Sequence, residues 1–316
     1  MERKLDEIKL INDVISKFFR DEFSKASLVI DNLKQVMEKT KEKYRLNTIT
    51  LSDALSSIIE DGFLKHLSSY RAKTKRMKSF HDALWNYSNG KITEEKLYKI
   101  AKRSISKSLS TNTRNAYQCW VLLSLLNLIN GKIFNPYYKK YLEELPKKSR
   151  YVSLISKKGE DEISPNFMID VSGKFFSVFY EGPGPVSWKS KEGKTLTYLI
   201  EKYGYSSKRP DIMIYSGKID NIYDPNEKPF PIRKNPFVII ECKEKADWHK
   251  KIKKNGEKEM DVVKKYKEIY NPENYFLVSW EKTPEKVCEE LKNVGIACLN
   301  DVAFNNSKLT EIIQLF

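Results

Sequence analysis

The sequence predicts a mixed α/β protein of the α+β type, with a helical N-terminal domain followed by a domain built on a central mixed β-sheet flanked by helices. Apolar residues recur at helical spacing in the first 150 residues, where strand patterns are scarce. After that point, β-rich apolar runs alternate with helical patterns. The chain of 316 residues is long enough for two ordinary domains, which we expect at 1–148 and 149–316.

Helices are predicted throughout the first domain. Apolar residues at helical spacing indicate helices within residues 5–19 and around residues 33–37. Ser52 is the expected N-cap of a third helix, which Gly62 ends. Another helix is expected to begin after Thr93.

Strands and helices alternate in the second domain. Two β-rich runs flank Ser172-Gly173 and predict a hairpin. Helices are expected around residues 196–203 and 260–266, and an extended loop over residues 216–236. The other predicted features are a Gly-Pro break at 182–185, strands at 211–215, 237–242, 275–280 and 296–299, and a helix with Thr283 as N-cap and Pro284 as first residue.

The charge balance is strongly basic. Lys and Arg total 57 against 42 acidic residues, which gives a formal net charge of +15. This excess favours an anionic partner, either nucleic acid or an acidic membrane surface, although a Lys-rich surface without such a partner is an alternative. The basic runs lack an amphipathic partner face, and the most apolar stretch, 119–129, is too short to span a bilayer. We therefore expect nucleic acid and no membrane.

Cysteine usage and the N-terminal residues predict a cytoplasmic protein. Cys119, Cys242, Cys288 and Cys298 show no Cys-x-x-Cys spacing, and three His are present, so a zinc finger is not expected. Cysteines this scattered need no disulfide framework, which fits a reducing compartment. The first seven residues are charged and lack the apolar core of a signal peptide.

Three residues on two predicted strands suit phosphodiester hydrolysis. Asp211 opens one strand, while Glu241 and Lys243 end the other at alternate positions, which share a face. If these strands are neighbours, two carboxylates and one ammonium converge. Mg²⁺ prefers carboxylate oxygens, and a nearby lysine can orient the attacking water and stabilise the transition state. An ordinary charge pair at the end of a strand is the alternative.

Pro210-Asp211 and Glu241-Cys-Lys243 resemble the two halves of the motif of the PD-(D/E)xK nuclease superfamily, the fold of most type II restriction endonucleases. The predicted order of elements over residues 165–300 is also similar to the core of that family. The resemblance implies a restriction-endonuclease-like core, Asp211 and Glu241 as ligands of Mg²⁺, and Lys243 as the catalytic lysine. It leaves the helical domain unexplained, and we expect that domain to bind DNA, to mediate dimerisation, or both.

A third carboxylate is an open question. Many restriction enzymes carry a Glu on the helix before the Asp strand, but Thr197 occupies the corresponding position here. Glu192, on the same predicted helical face, and Glu181, at the end of the hairpin, are additional acidic candidates. A first-turn glutamate favoured by the helix dipole is the preferred interpretation of Glu192. A solvated charge at the end of a strand explains Glu181 equally well.

Basic clusters supply candidate contacts to DNA phosphates, although a solvated surface is the alternative for any single lysine. A polar cluster, Ser110–Thr113, is expected to be a capping loop before an apolar helix, and Arg114 beside it could read a guanine edge. The candidate DNA-binding residues are Lys245, Lys250, Lys251, Lys73, Arg76 and Arg114, and a further basic cluster contains Lys99, Lys102, Arg103 and Lys107.

Together with the resemblance, these features favour a Mg²⁺-dependent endonuclease acting on double-stranded DNA, specifically a type II restriction endonuclease that acts as a homodimer. A cognate DNA methyltransferase is then expected in the same system, but not as a bound subunit. One alternative is a repair, recombination or mobile-element nuclease. The other is a non-catalytic DNA-binding protein with a nuclease-like fold.

Overall fold

The fold is mixed α+β, with helices concentrated in the N-terminal part of the chain and a mixed sheet following them, as predicted. It is described from a computed structural model. The structure describes residues 7–68, 75–135, 150–155, 164–181, 210–222, 233–252 and 256–316. The predicted Gly-Pro break at 182–185 and the helix around 196–203 lie outside these ranges, as do residues 223–232 of the loop predicted over 216–236.

Helices dominate the chain up to residue 128. They are α1 (Glu7–Phe18), α2 (Arg20–Tyr44), α3 (Asp53–Asp61), α4 (Phe63–Ser68), α5 (Lys75–Ser88) and α6 (Glu94–Leu128). The predicted ends of α3 are confirmed, because Ser52 precedes it and Gly62 follows it with a φ of 82°. The predicted start of α6 after Thr93 is also confirmed, and the Thr93 hydroxyl accepts a hydrogen bond from the Lys96 backbone N–H.

One long helix replaces two predicted helices. The structure continues α6 without a break through Ser110–Thr113, so the predicted capping loop there is wrong. Asn112 is buried, and its side chain donates to the Ser108 hydroxyl at 3.2 Å, which satisfies inside the helix a polar group that otherwise favours a cap. Burial of Leu109 and of the apolar residues that follow outweighs the weak helix propensity of the polar cluster.

The described residues contain two sheets. Their strands are β1 (Thr48–Thr50), β2 (Lys132–Phe134), β3 (Tyr151–Ser153), β4 (Phe167–Val171), β5 (Lys174–Tyr180), β6 (Ile212–Ser216), β7 (Val238–Lys243), β8 (Asn274–Ser279) and β9 (Ala297–Leu299). A small parallel pair joins β1 and β3, and the main sheet has the order β2-β4-β5-β6-β7-β8-β9. Pairing in the main sheet is antiparallel from β2 to β7 and parallel from β7 to β9.

The predicted hairpin is confirmed in β4 and β5. Ser172 and Gly173 both adopt positive φ values, of 52° and 88°, as a two-residue turn between twisted strands requires. The Asp170 carboxylate accepts a hydrogen bond from the Gly173 N–H at 2.8 Å. The predicted strands that became β6, β7, β8 and β9 are also present, whereas β1, β2 and β3 are only three residues long and gave no clear pattern.

Among the described residues, the α-helices that follow β7 are α7 (Glu259–Tyr270), α8 (Glu285–Lys292) and α9 (Thr310–Ile313). The predicted apolar side of α7 is confirmed, since Met260, Val263 and Tyr266 are buried in one cluster with residues of the sheet. The predicted cap of α8 is off by one position, because Pro284 is the N-cap. Thr283 is instead buried, and its hydroxyl accepts a hydrogen bond from the Trp248 indole at 3.1 Å.

Packing divides the chain into two compact units. The helical unit consists of Met1–Gln35 and Leu51–Trp120, and the sheet unit consists of Val36–Thr50 and Val121–Phe316. The division falls inside α2 and α6, whereas the sequence suggests one boundary after residue 148. The units are defined by contacts between segments that are distant in sequence. A change of composition along the chain does not reveal such contacts, so it could not predict this division.

One disulfide joins Cys288 on α8 to Cys298 on β9, with the Cα atoms 5.5 Å apart. The sequence predicts no need for a disulfide framework, but the fold brings together two cysteines that no spacing motif marks. Cys119 and Cys242 are buried thiols. Within the described ranges, none of the helices combines the length and hydrophobicity needed to span a bilayer.

Candidate active site

Asp211 and Glu241 lie opposite each other on neighbouring strands. β6 pairs antiparallel with β7, and Ile212 is opposite Ile240. Asp211 directly precedes Ile212, and Glu241 directly follows Ile240. The antiparallel register therefore places Asp211 beside Glu241, at the end of the paired part of β6 and β7. Both side chains are buried, with the two residues 9% and 4% exposed. The two strands are therefore neighbours, as predicted, and the sheet positions both carboxylates.

Backbone hydrogen bonds fix the two carboxylates. The Cys242 N–H donates to Asp211 Oδ2 at 2.7 Å, and the Asp211 N–H donates to Glu241 Oε2 at 3.4 Å. The Asp211 side chain thus accepts a hydrogen bond from the backbone of β7, two residues after Ile240, the last residue of β7 that pairs with β6. The backbone of the sheet therefore helps to orient this carboxylate.

Lys243 connects the buried carboxylate of Glu241 with the partly buried carboxylate of Glu259. Its ammonium donates to Glu241 Oε1 at 2.7 Å and to Glu259 Oε1 at 2.8 Å. Lys243 is 6% exposed, and its Nζ lies 5.3 Å from the centre of the Trp248 ring. An ammonium carries three N–H donors, of which these two contacts use two among the described residues. The third can donate to a ligand oxygen.

The electrostatics keep Lys243 charged. Burial disfavours its ammonium form, but the carboxylates of Glu241, Glu259 and Asp211 outweigh burial and raise the pKa of Lys243 above its ordinary value. Burial, together with the carboxylates of Glu241 and Asp211, raises the pKa of Tyr266 and of Tyr275 well above the ordinary phenol value. Both phenols therefore remain neutral at physiological pH, and only Lys243 supplies positive charge in this group.

The donor set is suited to a hard cation. Asp211 and Glu241 present two buried carboxylates from adjacent strands, which is a set that Mg²⁺ accepts because it keeps several water ligands. Over the described ranges, no three or more His, Cys, Asp and Glu side chains come close enough to form a metal site by themselves. A Mg²⁺ ion here would take the rest of its coordination from water and substrate.

The additional acidic candidates have different outcomes. Glu181 follows β5 with a φ of 42°, and its N–H donates to the Asp211 carbonyl at 2.7 Å, so its backbone adjoins the site. Among the described residues, its carboxylate belongs to no cluster of three or more His, Cys, Asp and Glu side chains that could hold a metal ion. Glu192 lies outside the described residues, and its prediction remains open.

The candidate DNA-binding residues are scattered over the chain. Lys245, Lys250 and Lys251 follow β7 and are exposed. Arg114 is half-buried inside α6. Lys73 and the side chain of Arg76 lie outside the described residues.

Trp248 occupies the middle of the basic run after β7 but is buried, and its indole is bonded to Thr283. It therefore supports the sheet unit and offers no exposed ring for a base to stack on.

Sequence reasoning missed Glu259. It is the first residue of α7 and lies 16 positions after Lys243, which its carboxylate contacts. The sequence carries one weak signal, an acidic first turn of a helix, and the helix dipole explains that signal equally well. Only the packing of α7 on the sheet distinguishes the two interpretations.

Comparison of the chain with protein-family models, with curated proteins and with solved structures found no match.

Proposed function

We propose that this protein is a Mg²⁺-dependent endonuclease of double-stranded DNA, and specifically a type II restriction endonuclease. The observation that supports it best is the pairing of Asp211 with Glu241 across adjacent strands, with Lys243 bonded to Glu241. This arrangement matches the residue types and spacing by which the sequence resembles PD-(D/E)xK nucleases. The net charge of +15 supports a polyanionic substrate.

The residues divide the work of hydrolysis. Asp211 and Glu241 would hold Mg²⁺, which when bound lowers the pKa of a water and neutralises charge on the phosphate. Lys243 holds a fixed positive charge next to Glu241 and can donate its third N–H to the attacking water or to a phosphate oxygen. The Glu259 carboxylate accepts a second hydrogen bond from the Lys243 ammonium, and this contact restricts its movement.

The decisive experiment is Mg²⁺-dependent cleavage of unmethylated plasmid by the wild type and by Asp211→Asn and Glu241→Gln. We expect both variants to lose several orders of magnitude in rate, as follows when metal ligation fails. The matched controls Asp220→Asn and Glu268→Gln remove the same charge at exposed positions and should cleave like the wild type. Full activity of Asp211→Asn would reject the proposal.

The cleavage products test the narrower assignment. Sequencing of the ends should give discrete fragments that share one short sequence if the enzyme is a restriction endonuclease. Cuts confined to forks or junctions would keep the chemistry and assign the protein to repair or recombination.

A further inference from the structure

A basic cavity lies within the helical unit. It has a volume of about 770 Å³ and is lined by Ser79, Thr93, Glu95, Lys96, Lys99, Ile100, Arg103, Ser104 and Lys107. Four of these side chains are cationic and one is anionic. The residues come from α5, from α6 and from the turn before α6. We call Lys96, Lys99, Arg103 and Lys107 the basic groove.

The basic groove follows one face of α6. Successive members are separated by three, four and four residues, the spacing that keeps side chains on the same side of a helix. All four are exposed, whereas Leu97, Ala101 and Ile105 on another face are buried and hold the helix in the unit. At 1.5 Å per residue, the four cations extend over about 16 Å of helix.

The structure also distinguishes the groove from its neighbour in sequence. Lys102 belongs to the same basic cluster of the sequence, but its ammonium lies 4.0 Å from the centre of the Phe18 ring, and it does not line the cavity. Lys96, which the sequence analysis did not single out, does line it. Three lysines of α6 thus line the cavity together with Arg103, and Lys102 does not.

We propose that the basic groove binds the phosphate backbone of double-stranded DNA. Phosphates of one strand recur every 3.4 Å along the duplex axis, so a row of about 16 Å can face about five of them. Arg103 adds a planar, bidentate donor suited to phosphate. The choice of DNA as ligand rests on the proposed function, although the contacts themselves need no nuclease chemistry.

An acidic membrane surface is the competing partner, and the lining disfavours it. Helices that lie on membranes combine a basic face with a large apolar one. Ile100 is the apolar residue among those that line the cavity, and the rest are polar or charged.

The test compares two quadruple variants with the same loss of charge. The groove variant carries Lys96→Gln, Lys99→Gln, Arg103→Gln and Lys107→Gln. The control variant carries Lys9→Gln, Lys17→Gln, Arg20→Gln and Lys65→Gln, four exposed positions of the helical unit that do not line the cavity. Gln keeps nearly the same helix propensity as Lys and Arg, and circular dichroism should confirm that both variants are folded.

Affinity for a fluorescein-labelled duplex of mixed sequence would be measured by anisotropy in EDTA over a range of salt concentrations. We expect the groove variant to bind about tenfold more weakly or worse, and its salt slope to fall by about 3 to 4 because four phosphate contacts are lost. The control variant should bind within a factor of about 2 of the wild type.

Unchanged duplex binding by the groove variant would overturn the proposal, as would equal weakening in both variants. Binding of both variants to phosphatidylserine vesicles would be measured in parallel. A groove variant that loses binding to these vesicles but keeps its affinity for the duplex would also overturn the proposal. Because the assay contains no divalent metal, its outcome is independent of cleavage. If the wild type binds through the groove but cuts no DNA, the nuclease proposal fails and the groove assignment stands.

Discussion

At the scale of single residues, Lys243 lies between two carboxylates, one buried and one partly buried, that would otherwise repel each other. Glu241 and Glu259 both lie within 2.8 Å of its ammonium, and the exposed fractions of the three side chains are 13% or less. Removing one partner of a buried ion pair leaves an uncompensated charge in a medium of low polarity. Replacing Lys243 by an uncharged residue is therefore expected to lower the stability of the folded protein strongly.

We predict that Lys243→Met lowers the free energy of unfolding by about 3–5 kcal/mol, because the substitution preserves volume but leaves two carboxylates without their cation. Urea denaturation at neutral pH measures it. Lys286→Met is the matched control, since Lys286 is exposed on α8, and should change stability by less than about 0.5 kcal/mol. Equal stability of Lys243→Met and the wild type would show that the carboxylates do not depend on this ammonium.

The same residues show how far single positions could be predicted. Asp211, Glu241 and Lys243 stand at strand ends, and strand alternation alone places Glu241 and Lys243 on one face. Their approach to Asp211 needed only the assumption that consecutive strands pair, which the β6–β7 register confirms. Glu259 reaches Lys243 through the packing of a helix on the sheet, and no local periodicity encodes that contact.

At the scale of elements, the end of α6 is held by side chains from the end of α2. The last carbonyls of a helix lack partners within it. Tyr44 donates its O–H to the Leu126 carbonyl at 2.6 Å, and the Lys43 ammonium donates to the carbonyls of Asn127 and Ile129 at 2.7 Å each. Burial lowers the pKa of Lys43 and raises the pKa of Tyr44 to about 12.

We predict that Tyr44→Phe costs about 1 kcal/mol of stability at neutral pH, because a hydrogen bond to a buried carbonyl is lost. The folded pKa of Tyr44 is raised, so its contribution is complete below the ordinary phenol value of about 10 and is lost as the pH rises towards about 12. The stability gap between the wild type and Tyr44→Phe should therefore narrow in urea denaturations at pH values above about 10. A constant or widening gap would contradict this assignment.

Elements with strong period-two or helical patterns could be predicted, and those set by tertiary packing could not. The hairpin turn at Ser172-Gly173 and the apolar run of β7 are encoded locally. The unbroken path of α6 through Ser110–Thr113 depends on burial, which overrides the preference of these residues for a cap. β2 forms because it pairs with β4, and its three residues carry no pattern by themselves.

At the scale of the whole molecule, the proposed activity has to cut two antiparallel DNA strands. A symmetric dimer supplies one site for each strand of a palindromic sequence. The resemblance to type II restriction endonucleases is the basis for this expectation. Composition and net charge do not test the expected dimer. They indicate the sign of the partner's charge but not the number of protein chains in the complex.

We predict that the Asp211→Asn variant, which we expect not to cleave, binds a cognate duplex as a dimer. Light scattering of the complex should give the mass of two chains of 37.0 kDa plus one duplex. The wild type should then convert supercoiled plasmid to the linear form with little nicked intermediate, since both strands are cut in one encounter. A saturated complex with one chain per duplex and long-lived nicked circles would contradict the dimer.

The bond from the Cys242 amide to the Asp211 carboxylate, at 2.7 Å, has a practical consequence. An amide proton that ends on a carboxylate senses the electron density of that oxygen, so its nuclear magnetic resonance frequency depends on whatever else the carboxylate touches. If the proposed Mg²⁺ binds Asp211, the resonance of the Cys242 amide would therefore report its binding. This resonance can be read in isotope-labelled protein without DNA and without turnover.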